Sequence, residues 1–247
     1  MKLEIAVASA AGAATAEHAG ADRIELCSAL ELGGVTPSAG LIEASLSASR
    51  LPVQVLIRPR PGDFVYSAEE LHTAAREARW CAQQGVAGVV LGALSANGEV
   101  DLQATEQLIA AARSENPDLE IVFHRAIDQA VNPLGALDAL FALGVKRILT
   151  SGQAPRAAAG IPTLKAMVQA GSGLEIMAGG GVRIDDIPAL RDQAGVSAIH
   201  LSAKAKGAAA RSAALALGSA DGTDPNAYFV TDEELVRAAV RRLTADS

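Results

Sequence analysis

Within FHRAID (residues 123–128) the chain sets an imidazole at His124, a guanidinium at Arg125 and a carboxylate at Asp128. They follow an apolar run, where a buried strand should be finishing. Other segments carry groups of the same kind. RIELC brings Glu25 and Cys27, RPRPGDF brings Arg58, Arg60 and Asp63, and AIHLSAK brings His200 and Lys204. Imidazoles titrate near neutrality, and burial can lift a carboxylate toward the same range. Glu25, Arg58, His124 and His200 are therefore the candidates for acid–base catalysis. Arginine forks match carboxylate and phosphate oxygens. Arg60, Arg125 and Lys204, with the amides of Gly179, Gly180 and Gly181 in AGGGV, are candidates for holding an anion. Cys27 is the one candidate metal ligand with a soft donor. No GxSxG elbow, no HExxH pair and no lysine at a strand end points to hydrolase, zinc or Schiff-base chemistry.

What positions these groups is a repeated unit. Eight β-rich runs recur along the chain: LEIAVA, DRIELC, VQVLIR, AGVVLG, LEIVFH, KRILTS, LEIMAG and SAIHLS. Helical patterns separate them, and units of about 30 residues predict one α/β domain over residues 1–247, a TIM-like (β/α)8 barrel. Side chains alternate along a strand. The apolar set (Leu3, Ile5, Val7; Ile24, Leu26; Val53, Val55, Ile57) packs under the helices. This turns Glu4, Glu25, Cys27, Arg58, His124, Glu175, His200 and Ser202 inward. Glu4 and Glu175 come early in their strands, where a structural ion network is the competing reading. Arg58, His124 and His200 come late, where barrel active sites lie. A buried guanidinium needs a partner, so Arg58 is expected to pair with a carboxylate, Glu25 first and Asp63 second.

Helix starts are expected at Thr36-Pro37 and Asn132-Pro133, with Asp101 as a further cap and capping boxes at Ser67/Glu70 and Thr231/Glu234. Gly20, Gly85 and Gly144 mark helix ends. Residues 203–231 are rich in small side chains and poorly periodic, and are expected to form an irregular excursion over the catalytic face, placed there as a lid.

Half of the 247 residues are hydrophobic and only 3% are aromatic, so the core is built of aliphatic side chains. A net charge of −7 argues against nucleic-acid and anionic-membrane partners, and any anion site must be local. Two cysteines make no disulfide framework, which points to the cytoplasm. The apolar N-terminus is interrupted by Glu4, Glu17 and His18 and is read as a first strand and helix rather than a signal peptide.

GADRIELCSALELGGVTPS, IRPRPGDFVYS, GVVLGALSANGEVD, FHRAID, RILTSG, IMAGGGV and HLSA occur in this order between residues 20 and 203. In these motifs the chain resembles the copper homeostasis protein CutC family. The resemblance implies a barrel, a cytoplasmic location, a homo-oligomer (a dimer above all), and a role in copper homeostasis with Cu(I) as the metal. The chain departs from the family pattern at Ala8, where an aspartate is usual, at Pro61 before Gly62, where a glycine pair is usual, and at two cysteine positions. The first strand often carries a cysteine where this chain has Ala6, and the last strand one where it has Leu201. With Cys27 alone remaining, weak Cu(I) binding is expected. The alternative function is an enzyme using acid–base chemistry on a small anionic substrate, phosphorylated substrates included, at the C-terminal mouth.

Overall fold

The computed structural model describes residues 1–207 and 228–245. Eight parallel strands close a barrel in chain order: β1 (Lys2–Val7), β2 (Arg23–Leu26), β3 (Val53–Leu56), β4 (Gly88–Leu91), β5 (Glu120–Phe123), β6 (Arg147–Thr150), β7 (Glu175–Ala178) and β8 (Ala198–Leu201). The register closes with Glu4 of β1 opposite His200 of β8. The helices are α1 (Ala10–His18), α2 (Ala39–Ala48), α3 (Ala68–Gln83), α4 (Leu102–Arg113), α5 (Leu137–Ala142), α6 (Ile161–Gln169), α7 (Ile187–Ala189) and α8 (Glu233–Thr244). The fold is the expected (β/α)8 barrel, and the apolar N-terminal stretch forms β1 and α1. Among the described residues, no helix is long and apolar enough to cross a membrane.

Alternation sorts the strand residues as the apolar pattern requires. Leu3, Ile5, Val7, Ile24, Leu26, Val53 and Val55 join the core between barrel and helices. Cys27, Leu56, Val90, Val122, Leu149, Met177 and Ala198 form a second, smaller cluster inside the barrel.

The start of the barrel holds an ion network. Arg23 Nε donates to Glu4 (2.7 Å) and its NH2 to Glu175 (3.2 Å); Arg147 Nε donates to Glu175 (2.8 Å). Gln54 donates to Glu120 (3.1 Å), and Arg147 also approaches Glu120 at 3.6 Å. Glu175 thus belongs to the structural layer and not to the mouth. The network ties β1, β2, β3, β5, β6 and β7 together, each buried charge compensated by a neighbour from another strand.

The helix starts differ in three places. Ser38, not Thr36, caps α2, because the Thr36 hydroxyl is taken up accepting the Arg58 amide (2.9 Å) and donating to Glu77 (2.8 Å). Asn132 closes a turn onto the Gly135 amide (3.0 Å), and α5 begins only at Leu137. Thr231 ends a strand, and Asp232 caps α8 through the Leu235 amide (2.9 Å). The Ser67/Glu70 box and the Asp101 cap form as expected. Gly20, Gly85 and Gly144 each take a positive φ beyond a helix end.

The segment after β8 is more ordered at its two ends than the sequence pattern suggests. β9 (Lys204–Lys206) pairs antiparallel with β10 (Phe229–Thr231), and Gly207 donates to the Tyr228 carbonyl at 2.8 Å. Of the excursion expected at residues 203–231, residues 208–227 lie outside the described residues, and with them the expected lid.

Candidate functional site

A cavity of about 210 Å³ opens at the C-terminal ends of the strands. Glu25, Arg58, His124 and His200, the four candidates for catalysis, all line it, as does Cys27. Strand alternation brought them there: each is the inward residue of its strand or of the residues directly after it.

On one wall, Nδ1–H of His200 donates to Glu4 Oε1 at 2.8 Å, while Nε2 faces Glu25 Oε2 at 3.8 Å. That second gap is too long for a hydrogen bond. Glu25 is 6% exposed and receives no hydrogen bond among the described residues. Burial lifts its carboxyl to about 7, with His200 pulling against the rise and the Glu4 charge adding to it. Burial disfavours the His200 imidazolium, but Glu25 and Glu4 outweigh it and hold its pKa above the ordinary value. Burial alone would also raise Glu4; His200, Arg23 and Arg147 hold it down at about 2. Glu4 thereby couples the ion network below to the site above. This wall therefore holds one permanently ionised carboxylate, one imidazole biased toward its charged form, and one carboxyl poised near neutrality.

The facing wall is different. His124 ends β5 and caps the 3-10 turn Arg125–Gln129, its Nδ1 accepting the Ala126 amide at 3.2 Å. Burial, and then the Arg58 charge, push its pKa down to about 3. It is no proton carrier near neutrality, which corrects the expectation that both histidines titrate there. Arg58 pairs with no carboxylate among the described residues. Its guanidinium donates to the carbonyls of Leu32 (3.1 Å), Gly34 (2.8 Å) and Gly62 (2.7 Å), and it lies over the Phe64 ring at 5.0 Å. Backbone carbonyls of two loops supply the compensation expected from Glu25 or Asp63. Gly34 is required there: its φ is +85°, and a Cβ would meet Leu56 at 2.7 Å.

The anion candidates divide. Arg125, Gly180 and Gly181 line the cavity. Arg125 donates to Asp128 (2.8 Å) and Ser151 (3.0 Å) and packs against Gly180, where a Cβ would lie 2.8 Å from its guanidinium carbon. The amides of Gly180 and Gly181, and of Val182 beside them, meet no acceptor among the described residues. Gly179 falls away, because its amide donates to Thr150 within the sheet at 2.9 Å. Arg60 falls away too: β3 has ended, and its guanidinium turns outward to Glu70 (2.6 Å), Asp63 (3.0 Å) and the Val65 carbonyl (2.8 Å). Lys204 stacks on Phe229 at 4.2 Å, away from the cavity.

Sequence reasoning missed two contributors. Asp128 accepts from Thr150 Oγ1 (2.6 Å), the Ser151 amide (3.0 Å) and Arg125, clamping the loops after β5 and β6 together. Phe64, in the same motif as Arg58, packs against His124 with ring centroids 4.8 Å apart.

The donors do not fit Cu(I), which favours several thiolate or thioether ligands. Burial, with Glu25 and Glu31, drives the Cys27 thiol far above its ordinary range, so it keeps its proton. Met177 Sδ lies 3.2 Å from Arg23 NH2. Cys81 is buried in the outer core on α3. Ala6 and Leu201, the positions where the family pattern carries cysteine, line the same cavity and bring no donor.

Comparison with known proteins agrees across the chain. The CutC family model matches residues 1–205. A CutC family protein of Glaesserella parasuis serovar 5 is 45% identical over 205 residues, 83% of each chain. One from Xylella fastidiosa is 42% identical over 243 residues, 98% of this chain and 88% of its own. The crystal structure of a Streptococcus agalactiae CutC protein, named for copper homeostasis, superposes with a TM-score of 0.76 at 32% identity, covering 82% of this chain and 98% of that one.

Proposed function

The chain belongs to the CutC family, and from the geometry of its barrel mouth we propose that it acts as an enzyme, moving a proton on a small anionic ligand there. The observation that carries the reading is Glu25: a buried carboxyl without a hydrogen bond, facing His200 Nε2 at 3.8 Å on the wall of a cavity. A carboxyl whose pKa sits near neutrality both takes and returns a proton at little cost. At the opposite end Arg125 and the amides of Gly180, Gly181 and Val182 receive the ligand's anionic group, a phosphate or a carboxylate. His200, held by Glu4, sets the charge that Glu25 sees. In this reading the protein is cytoplasmic and a homodimer, and its partner is a small molecule rather than nucleic acid or membrane.

The test is calorimetric titration with 2-phosphoglycolate, a small phosphorylated anion. Binding should occur in the micromolar to millimolar range, and Arg125→Ala should weaken it about tenfold, the loss of one charge-assisted contact. Absence of binding, or indifference to Arg125→Ala, would sink the anion site.

A second reading, direct Cu(I) binding, is favoured by one observation: Cys27 and the two family cysteine positions share the cavity. A protonated lone thiol makes it the weaker reading. Competition against a Cu(I) chelator should show weak binding that Cys27→Ser leaves unchanged; tight one-to-one binding abolished by that substitution would reverse the order.

A further inference from the structure

A buried donor at the mouth, on the His124 ring, meets no acceptor among the described residues. His124 is 4% exposed and Arg58 6%. His124 Nδ1 accepts the Ala126 amide, so a neutral ring carries its proton on Nε2. That Nε2–H finds no acceptor among the described residues and is closed to water. Leaving buried donors unmet is costly, and such groups in a native fold call for an explanation.

The surroundings say what kind of partner is missing. Phe64 stands between the two, 4.8 Å from the His124 ring and 5.0 Å from the Arg58 guanidinium carbon. Phe123 meets the ring edge-on at 6.0 Å. Gly92, just past β4, makes room for the imidazole itself; a Cβ there would come within 2.8 Å of its Cε1 and Nδ1. Among the described residues, no carboxylate lies within ion-pair distance of His124. Arg58 is the charged group beside it, and together with burial it keeps the ring neutral. A neutral imidazole N–H next to a guanidinium is a donor for oxygen and not a base.

We propose that His124 Nε2–H, with the Arg58 charge beside it, holds the carbonyl oxygen of a small anionic α-hydroxy aldehyde or ketone, Phe64 moving aside as it binds, while Glu25 removes a proton from the adjacent carbon. The inference rests on the proton-transfer reading above and names its substrate class. The carbon–hydrogen bond breaks toward Glu25, its electron pair forms a carbon–carbon double bond, and the carbonyl pair moves onto oxygen. The enolate oxygen is then met by His124 Nε2–H beside the Arg58 charge, both of which act most strongly where charge develops. The α-hydroxyl proton passes to the former carbonyl oxygen within the enediolate, and Glu25 returns its proton to the former carbonyl carbon, so the reaction is a 1,2-isomerisation with no co-reactant.

The first test needs no substrate. In protein labelled with 15N-histidine, long-range correlation spectra should show His124 protonated on Nε2 alone from about pH 8 to pH 5, without titrating near the ordinary histidine pKa. A proton on Nδ1, or a charged ring in that range, overturns the proposal whatever the anion site does. The second test compares two probes. Phosphoglycolohydroxamate, which mimics an enediolate, should bind at least about a hundredfold tighter than 2-phosphoglycolate, and should shift the Nε2 proton downfield. His124→Gln, which keeps an N–H, should retain part of the preference, and His124→Ala should abolish it. Equal affinity for the two probes, or a preference that survives His124→Ala, defeats the oxygen corner while leaving the anion site standing. Failure of both probes to bind defeats the anion site instead, and the spectra still decide the state of His124.

Discussion

At the scale of single residues, the site's behaviour comes from two walls that burial treats in opposite ways. Glu25 has charged company and titrates near 7; His124 has aromatic company and a cation, and stays neutral down to about 3. A carboxyl whose pKa rises on folding favours the folded state below its unfolded pKa of 4.5, and that contribution is lost as pH rises through 7. Glu25→Gln, which cannot ionise, should therefore gain stability relative to the wild type as pH goes from about 5 to 8, by on the order of 2 kcal/mol. Thermal unfolding of the pair across that range checks it, and a constant difference would show that Glu25 does not titrate there. The inward direction of Glu25, Arg58, His124 and His200 was legible in the sequence, because outward-facing aliphatics mark the other face of each strand. What Arg58 donates to was not legible: carbonyls of Leu32, Gly34 and Gly62 leave no trace in side-chain patterns. Nor was the loss of Arg60, since strand alternation predicts nothing once β3 has ended.

Among elements, the ion network does for this barrel what branched apolar layers usually do at that end. Its members come from six strands, so it fixes their relative stagger and through it the height of Glu4 beneath His200. Arg23→Met should destabilise the fold by about 3–5 kcal/mol, since Glu4 and Glu175 lose a shared partner while remaining buried. Urea unfolding measures this; a cost below about 1 kcal/mol would make the network ornamental. Arg23→Met should also loosen His200, because Glu4 then has only His200 and the more distant Arg147 to answer its charge. A helix-scale control is Ser67→Ala, which removes one half of a complete capping box on α3 and should cost about 1 kcal/mol without touching the site. The strand runs themselves were legible nearly to the residue. Caps were less so, because neighbouring hydroxyls compete: Thr36 stands two residues from Ser38, and only tertiary contacts to Arg58 and Glu77 decide between them.

For the molecule as a whole, the family-matched portion ends at residue 205, inside the short ribbon that β9 and β10 form beyond the barrel. The ribbon ties α8 to the frame, since Asp232 N–H returns to the Ala203 carbonyl at 2.8 Å just before α8 covers the barrel. Its tip brings Gly207 and Tyr228, the described residues on either side of 208–227, into hydrogen-bond contact at 2.8 Å. Such a stem is a splice junction. Residues 208–227 should be removable, with Gly207 joined to Tyr228 through an Asn-Gly type I′ turn, and the shortened chain should unfold within about 1 kcal/mol of the parent. A loss of several kcal/mol would mean that the removed stretch is part of the scaffold. If the cut is tolerated, the same junction becomes a port: a foreign loop, a tag or a second domain grafted there would sit beside the mouth of a barrel whose frame does not depend on it.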